Sequence, residues 1–218
     1  MSENDVIKVE NVSKTLKGKT VLRDVSLTLE RGKIYAFCGR NASGKTMLLS
    51  TIAGLIVPTR GSVTVFGQRV SEKRIYPENM GLIIGSIGLW PHITGMENLA
   101  LIAEIKKTAD IDDMREAMSR VGLDPDDKRK YKAYSMGMKQ KLILAQAIME
   151  KPDLLILDEP TNGLDEDAVV LFREIVAQEK KRGVTILIAT HQLDDISGLH
   201  DCMYTMRDGL CEKGRRAV

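Results

Sequence analysis

The sequence predicts an α/β fold with a mainly parallel sheet at its core, antiparallel β strands at its N-terminal side and an inserted helical subdomain. Three observations predict it. Apolar, β-rich runs at 154–157 and 185–189 are separated by a helical pattern at 166–181, and strand-helix-strand order implies parallel strands covered on both faces. A short apolar run at 33–38 feeds a glycine loop and then helical spacing. Residues 96–149 lack strand signals and carry helical periodicity with two breaks.

In chain order, Ile7 to Val12 and Val21 to Leu29 alternate β-branched or apolar residues with polar ones about a turn at Lys17-Gly18-Lys19, so an antiparallel start is expected. Lys33 to Cys38 reads as a buried strand that stops at Gly39. Met47, Leu48, Ile52 and Leu55 recur at helical spacing over 45–55, before Pro58 and Gly61. Ser62 to Phe66 and Met80 to Ile84 are two further strand-like runs. The helical stretch that follows has breaks near Ala109-Asp110 and over 122–127. The expected organisation is one domain over 1–218, with a core of 1–85 and 150–218 and a helical subdomain at 86–149.

That size fits a single α/β unit. Hydrophobic residues make up 43% of the 218 and charged residues 28%, which gives a large aliphatic core and argues against disorder. A net charge of +2 supplies no field that would gather nucleic acid or anionic lipid, and no nucleic-acid partner is expected. Cys38, Cys202 and Cys211 are odd in number and lack CxxC spacing, so they suggest neither a disulfide framework nor zinc, and fit a reducing cytosol. No run reaches the roughly 18 apolar residues needed to cross a bilayer. The runs Lys128-Arg129-Lys130, Lys132 and Arg215-Arg216 read as solvated faces.

Gly39-Arg40-Asn41-Ala42-Ser43-Gly44-Lys45-Thr46 fits G-x-x-x-x-G-K-S/T between a strand and a helix. Glycines let the backbone wind around phosphate oxygens, and its N–H groups and the helix N-terminus face the anion. Lys45 would reach the β and γ phosphates and Thr46 would offer its hydroxyl to Mg2+, with ATP or GTP as the ligand. Leu154-Leu155-Ile156-Leu157 ends in Asp158-Glu159, and a buried strand avoids adjacent acids unless they meet a cation. Asp158 would hold Mg2+ through water, and Glu159 would take a proton from the water that attacks the γ phosphate.

Tyr134-Ser135-Met136-Gly137-Met138-Lys139-Gln140 lies shortly before this acidic pair. With the phosphate loop and the acidic strand in that order, the chain resembles the ABC ATPase family from its first strands to about Gly209. The resemblance implies a P-loop NTPase core, two ATPs sandwiched between two ATPase subunits, and Ser135 and Gly137 binding the γ phosphate held by the opposite subunit. Ser135 and Gly137 begin a helix whose N-terminal N–H groups favour an anion. Asp165, in Pro160-Thr161-Asn162-Gly163-Leu164-Asp165, matches the residue expected at the dimer interface, and His191 matches the histidine that senses the γ phosphate.

The resemblance further implies an ATP-hydrolysing subunit, cytoplasmic and held at the inner face of the membrane by separate permease subunits. Its ATPase partner would be identical or different. A soluble regulatory or nucleic-acid-linked ATPase is the alternative. Pro91 to Leu99 and the wording around Ser135 resemble the bacitracin and lantibiotic exporter branch. Two positions depart from the family: Leu16 stands where an aromatic residue usually stacks on adenine, and Gly85 stands where a glutamine or glutamate is usual, so that either Ser86 or solvent takes its part or hydrolysis is slower than usual.

Overall fold

The computed structural model describes residues 4–70, 75–85 and 88–214. A hairpin opens the chain, β1 (Asp5–Leu16) against β2 (Lys19–Glu30), followed by β3 (Ile34–Cys38), α1 (Lys45–Ile52), β4 (Arg60–Val65), β5 (Gln68–Arg69) and β6 (Met80–Ile83). Three helices come next, α2 (Gly95–Lys106), α3 (Ile111–Arg120) and α4 (Met136–Ile148). The chain then runs through β7 (Leu154–Asp158), α5 (Glu166–Lys181), β8 (Thr185–Thr190), β9 (Cys202–Arg207) and β10 (Leu210–Lys213).

Two sheets result, in the orders β2-β1-β4-β5 and β10-β9-β3-β8-β7-β6. The first is antiparallel, and in the second only the β9-β10 pairing is antiparallel. The central strands are buried on both faces, as their unbroken apolar runs require. Tyr35, Phe37, Ile156 and Leu187 face α1 and the antiparallel sheet. Ile34, Ala36, Leu157 and Ile188 face α4, α5 and the packed helices.

Several elements differ from the sequence reading. β1 and β2 extend beyond the predicted runs because bulges interrupt their alternation; Asn11 and Asp24 take positive φ and join through Asn11 Nδ2–H and Asp24 Oδ1 at 3.1 Å. α1 stops at Ile52, since Gly54 turns the chain at φ +76 where a Cβ would lie 2.4 Å from the Ile75 carbonyl oxygen. Leu55 is therefore outside the helix. β5, β9 and β10 were not anticipated. Within the insertion, capping boxes at Thr94/Glu97 and Asp110/Asp113 start α2 and α3, and Ser135 Oγ caps α4 by accepting from the Met138 N–H at 3.2 Å.

Candidate nucleotide site

Three adjacent parallel strands, β3, β8 and β7, end together: Cys38 is level with Thr190, and Asp158 with Ala189. The residues just past those ends are Gly39, His191 and Glu159, so topology alone gathers three distant stretches at the carboxyl edge, where open α/β sheets bind ligands. Glu159 has φ +49 and its N–H donates to the Ala189 carbonyl at 2.8 Å. That left-handed backbone is unusual for glutamate, and it ends the strand directly after Asp158.

The loop 39–46 is wound tightly. A Cβ on Gly39 would lie 2.3 Å from the Met206 carbonyl oxygen and 2.8 Å from Ser43 Oγ. Gly44 sits at φ +110 as the residue before α1. Lys45 is 5% exposed, and its Nζ donates to the Gly39 carbonyl at 2.7 Å and lies 3.3 Å from Glu159 Oε1. Glu159 Oε2 lies 2.8 Å from His191 Nδ1 and accepts from the His191 backbone N–H at 3.3 Å. Lys45, Glu159 and His191 thus form one chain of contacts.

Thr46 Oγ1 donates to Asp158 Oδ2 at 2.7 Å. The other oxygen, Oδ1, is buried without a hydrogen-bond partner, as is Ser43 Oγ, and buried polar atoms in native proteins are otherwise almost always paired. Burial raises the Asp158 carboxyl above its ordinary range, against the Thr46 hydrogen bond; the Glu159 charge adds to the rise and Lys45 opposes it. A hydroxyl beside a carboxylate with an unused oxygen is a donor set for a hard cation, so these residues fit Mg2+. Cys38, one residue before the loop, is pushed up to about 11 by burial, which keeps its thiol protonated and unreactive near neutral pH.

A cavity of about 480 Å3 opens here. Residues 41–47 and Glu159 line one part, and Lys19, Thr20, Val21, Arg23, Asp208 and Gly209 line the rest. Arg40 and His191 line a neighbouring hollow with Gly39 and Asn41. Leu16 is 41% exposed at the tip of β1 and does not line the cavity; Lys19, its partner across the hairpin, does. Gly85 takes φ +65 with open space around its Cβ position. Ser86 lies outside the described residues, as do Arg215 and Arg216.

Ser135 and Gly137 are absent from both hollows. Their helix start packs on the segment 160–165 instead. Gln140 Nε2 donates to the Pro160 carbonyl at 2.9 Å, and a Cβ on Gly163 would meet Met136 Cγ at 2.9 Å. Asp165 is exposed and caps α5 by accepting from the Ala168 N–H at 2.8 Å. Met136 is 72% exposed. The predicted residues therefore form two groups, the larger around Lys45 and the smaller around Ser135.

Comparison with known proteins follows this geometry. The family model described as ABC transporter matches residues 22–162. The uncharacterized ABC transporter ATP-binding protein YybJ of Bacillus subtilis (strain 168) is 45% identical, covering 98% of each chain. The bacitracin transport ATP-binding protein BcrA of Enterococcus faecalis is 36% identical over 94% of this chain and 67% of its own. The lantibiotic transport ATP-binding protein SrtF of Streptococcus pyogenes is 32% identical over 94% and 88%. Among solved structures, an ATP binding subunit of an ABC transporter superposes with TM-score 0.87 at 28% identity, covering 97% of this chain and 90% of that one. A dimeric ATP-binding cassette in a post-hydrolysis state with ADP and Pi gives 0.85 at 22% identity, covering 96% and 99%, a likeness of fold.

Proposed function

The chain belongs to the ABC transporter family as an ATP-binding, ATP-hydrolysing subunit, and from that premise we propose that it drives an exporter by closing as a dimer over two nucleotides. One observation carries the dimer. The cavity that contains Lys45, Thr46 and Glu159 contains neither Ser135 nor Gly137. A site using both groups has to be completed by a second chain, identical or different.

In this reading the N–H groups of 39–46 and the N-terminus of α1 take the phosphates, and Lys45 leaves Glu159 for the β and γ oxygens. Thr46 and Asp158 would hold Mg2+, which would supply charge neutralisation at the phosphates. Freed of Lys45, Glu159 accepts a proton from the water attacking the γ phosphorus; the new P–O bond forms as the bond to ADP breaks. His191 orients Glu159 through the 2.8 Å contact and meets the γ phosphate. Ser135 and Gly137, at the start of α4, bring N–H donors to the γ phosphate from the opposite chain, and Asp165 lies at that junction.

The division into a core of 1–85 and 150–218 and a helical subdomain of 86–149 belongs to the same proposal, supported by α2, α3 and α4 lying between β6 and β7 in sequence. No helix among the described residues is long and apolar enough to cross a membrane. Separate permease subunits would hold the chain at the inner face of the cell membrane, with the bacitracin and lantibiotic transport relatives favouring export of a peptide or small amphiphile.

The test is ATP turnover of the purified chain with Mg2+ beside Glu159→Gln, with light scattering to follow dimerisation. Turnover should fall by about 10²-fold or more in the variant, which should accumulate as an ATP-bound dimer. Unchanged turnover would remove Glu159 as the base, and a chain that stays monomeric with ATP would remove the composite site.

A further inference from the structure

We propose that the base end of this cavity reads the polar edge of a purine through Arg23 and Asp208 instead of stacking on its face, and so takes GTP as well as ATP. The inference rests on the nucleotide reading above.

None of the residues lining the cavity is aromatic. Nearby rings are committed elsewhere: Phe37 stacks on Tyr204 at 5.3 Å in the core. What the base end offers is charge. Arg23 and Asp208 both line it, and their backbone segments are joined, since the Arg23 backbone N–H donates to the carbonyl of Gly209, the residue after Asp208, at 2.8 Å. The Asp208-Gly209 turn is also tied to the phosphate loop, because the Gly209 N–H donates to the Ser43 carbonyl at 3.0 Å. A Cβ on Gly209 would lie 2.8 Å from the Val21 carbonyl oxygen, so the turn sits directly against β2. The base end is thus fixed relative to the phosphate end.

Neither charge is spent. Among the described residues the Arg23 side chain has no hydrogen bond or ion pair, and Asp208 has only a loose contact of 3.9 Å with Arg207, both side chains more than 80% exposed. A guanidinium donates to N7 of either purine, and to N7 and O6 together in guanine. A carboxylate accepts both N1–H and N2–H from guanine but only one amino hydrogen from adenine. The pair therefore accepts both bases and complements guanine better. Solvent at this open end limits the preference to severalfold.

Isothermal titration with Mg2+ and ATP, GTP or inorganic tripolyphosphate tests this on the wild-type chain, Asp208→Asn and Arg23→Ala. Wild type should bind GTP within about threefold of ATP or more tightly, and Asp208→Asn should shift the ratio by about fivefold toward ATP. Arg23→Ala should weaken both nucleotides relative to tripolyphosphate, which meets only the phosphate end. An ATP preference above about 20-fold, or a ratio unmoved by Asp208→Asn, overturns the inference and leaves the ATPase reading intact. Failure of wild type to bind any of the three overturns both.

Discussion

Glu179 gives the sharpest test of what holds the helical insertion to the core. Its side chain is 0% exposed on α5 and meets two arginines: Oε1 lies 2.6 Å from Arg120 Nη2 at the end of α3, and Oε2 pairs with Arg182 Nη1. Arg120 also donates to Gln178 Oε1 at 3.2 Å. Removing one partner of a buried ion pair costs about 3–5 kcal/mol, because the remaining charge is stranded. Here the arginine side chains are 22% and 40% exposed and keep a route to water, which lowers the figure. Loss of the buried methylene adds about 0.8 kcal/mol. Glu179→Ala should therefore destabilise the chain by about 3 kcal/mol, or roughly 6–12 °C in Tm for a protein of this size. Urea unfolding at neutral pH reads it as a lower midpoint with unchanged slope. Arg120→Met with Glu179→Met, which removes the Arg120–Glu179 pair and leaves only the more exposed Arg182 without its partner, should recover part of the loss. A Glu179→Ala cost below about 1 kcal/mol would refute the bridge as a structural tie, reducing it to the rank of a surface pair.

Gly39→Ala should weaken ATP binding by about tenfold or more by titration calorimetry, since its Cβ meets carbonyl oxygen of Met206 at 2.3 Å and the loop has to shift. Lys45→Ala should lower ATP affinity by about 100-fold in the same assay, through loss of the charge-assisted contact to the phosphates. Asp158→Asn should abolish Mg2+-dependent turnover yet unfold at higher urea than wild type, by about 1 kcal/mol at pH 7. The sign follows from its raised pKa: the folded chain binds that proton more tightly than the unfolded chain does, so stability falls as pH rises from the ordinary aspartate range through the raised value. The Asn advantage should shrink as pH is lowered back through that window; an advantage independent of pH would refute burial of the charge as its cause.

What the sequence disclosed was local chemistry. The phosphate loop is contiguous and its residue types are nearly dictated by winding a backbone around an anion. α5 has the ends read from the sequence, 166 and 181, and the structure gives the physical reason: Asp165 caps its start and Gly183, at φ +88, follows its stop. β9 and β10 were missed although Tyr204 and Met206 alternate with polar Thr205 and Arg207. They lie toward a sheet edge, where burial on one face leaves a weak pattern. Leu16 was matched to the base-stacking position by its place after the first strand, yet the hairpin turns Lys19, Thr20 and Val21 of β2 to the cavity. Which strand of a hairpin faces a ligand depends on how the two sheets pack, which residue types along one strand do not specify.

The Lys45–Glu159–His191 contacts were equally beyond reach of spacing, and they explain how a buried lysine is held at this site. A lysine only 5% exposed needs compensation. Two carbonyls of the loop and Glu159 supply it, at 2.7, 3.4 and 3.3 Å. On the proposed reading, the carboxylate that later takes the proton of water first serves as counter-ion to the lysine that later binds phosphate. Glu159 is then unable to act while Lys45 holds it, and a triphosphate that draws Lys45 away both fills the loop and releases the base. On that reading, binding and activation are one exchange of partners. Lys45→Met separates the two roles, because it removes the counter-ion without adding a phosphate: the Glu159 carboxylate should lose a restraint and His191 become its remaining ring contact. The His191 ring resonances, followed by NMR at one fixed pH without nucleotide, should then shift, because the carboxylate 2.8 Å from Nδ1 has lost its contact with Lys45. His191 resonances that do not move would mean that Lys45 and Glu159 are not in contact in solution, and the exchange would fail with it.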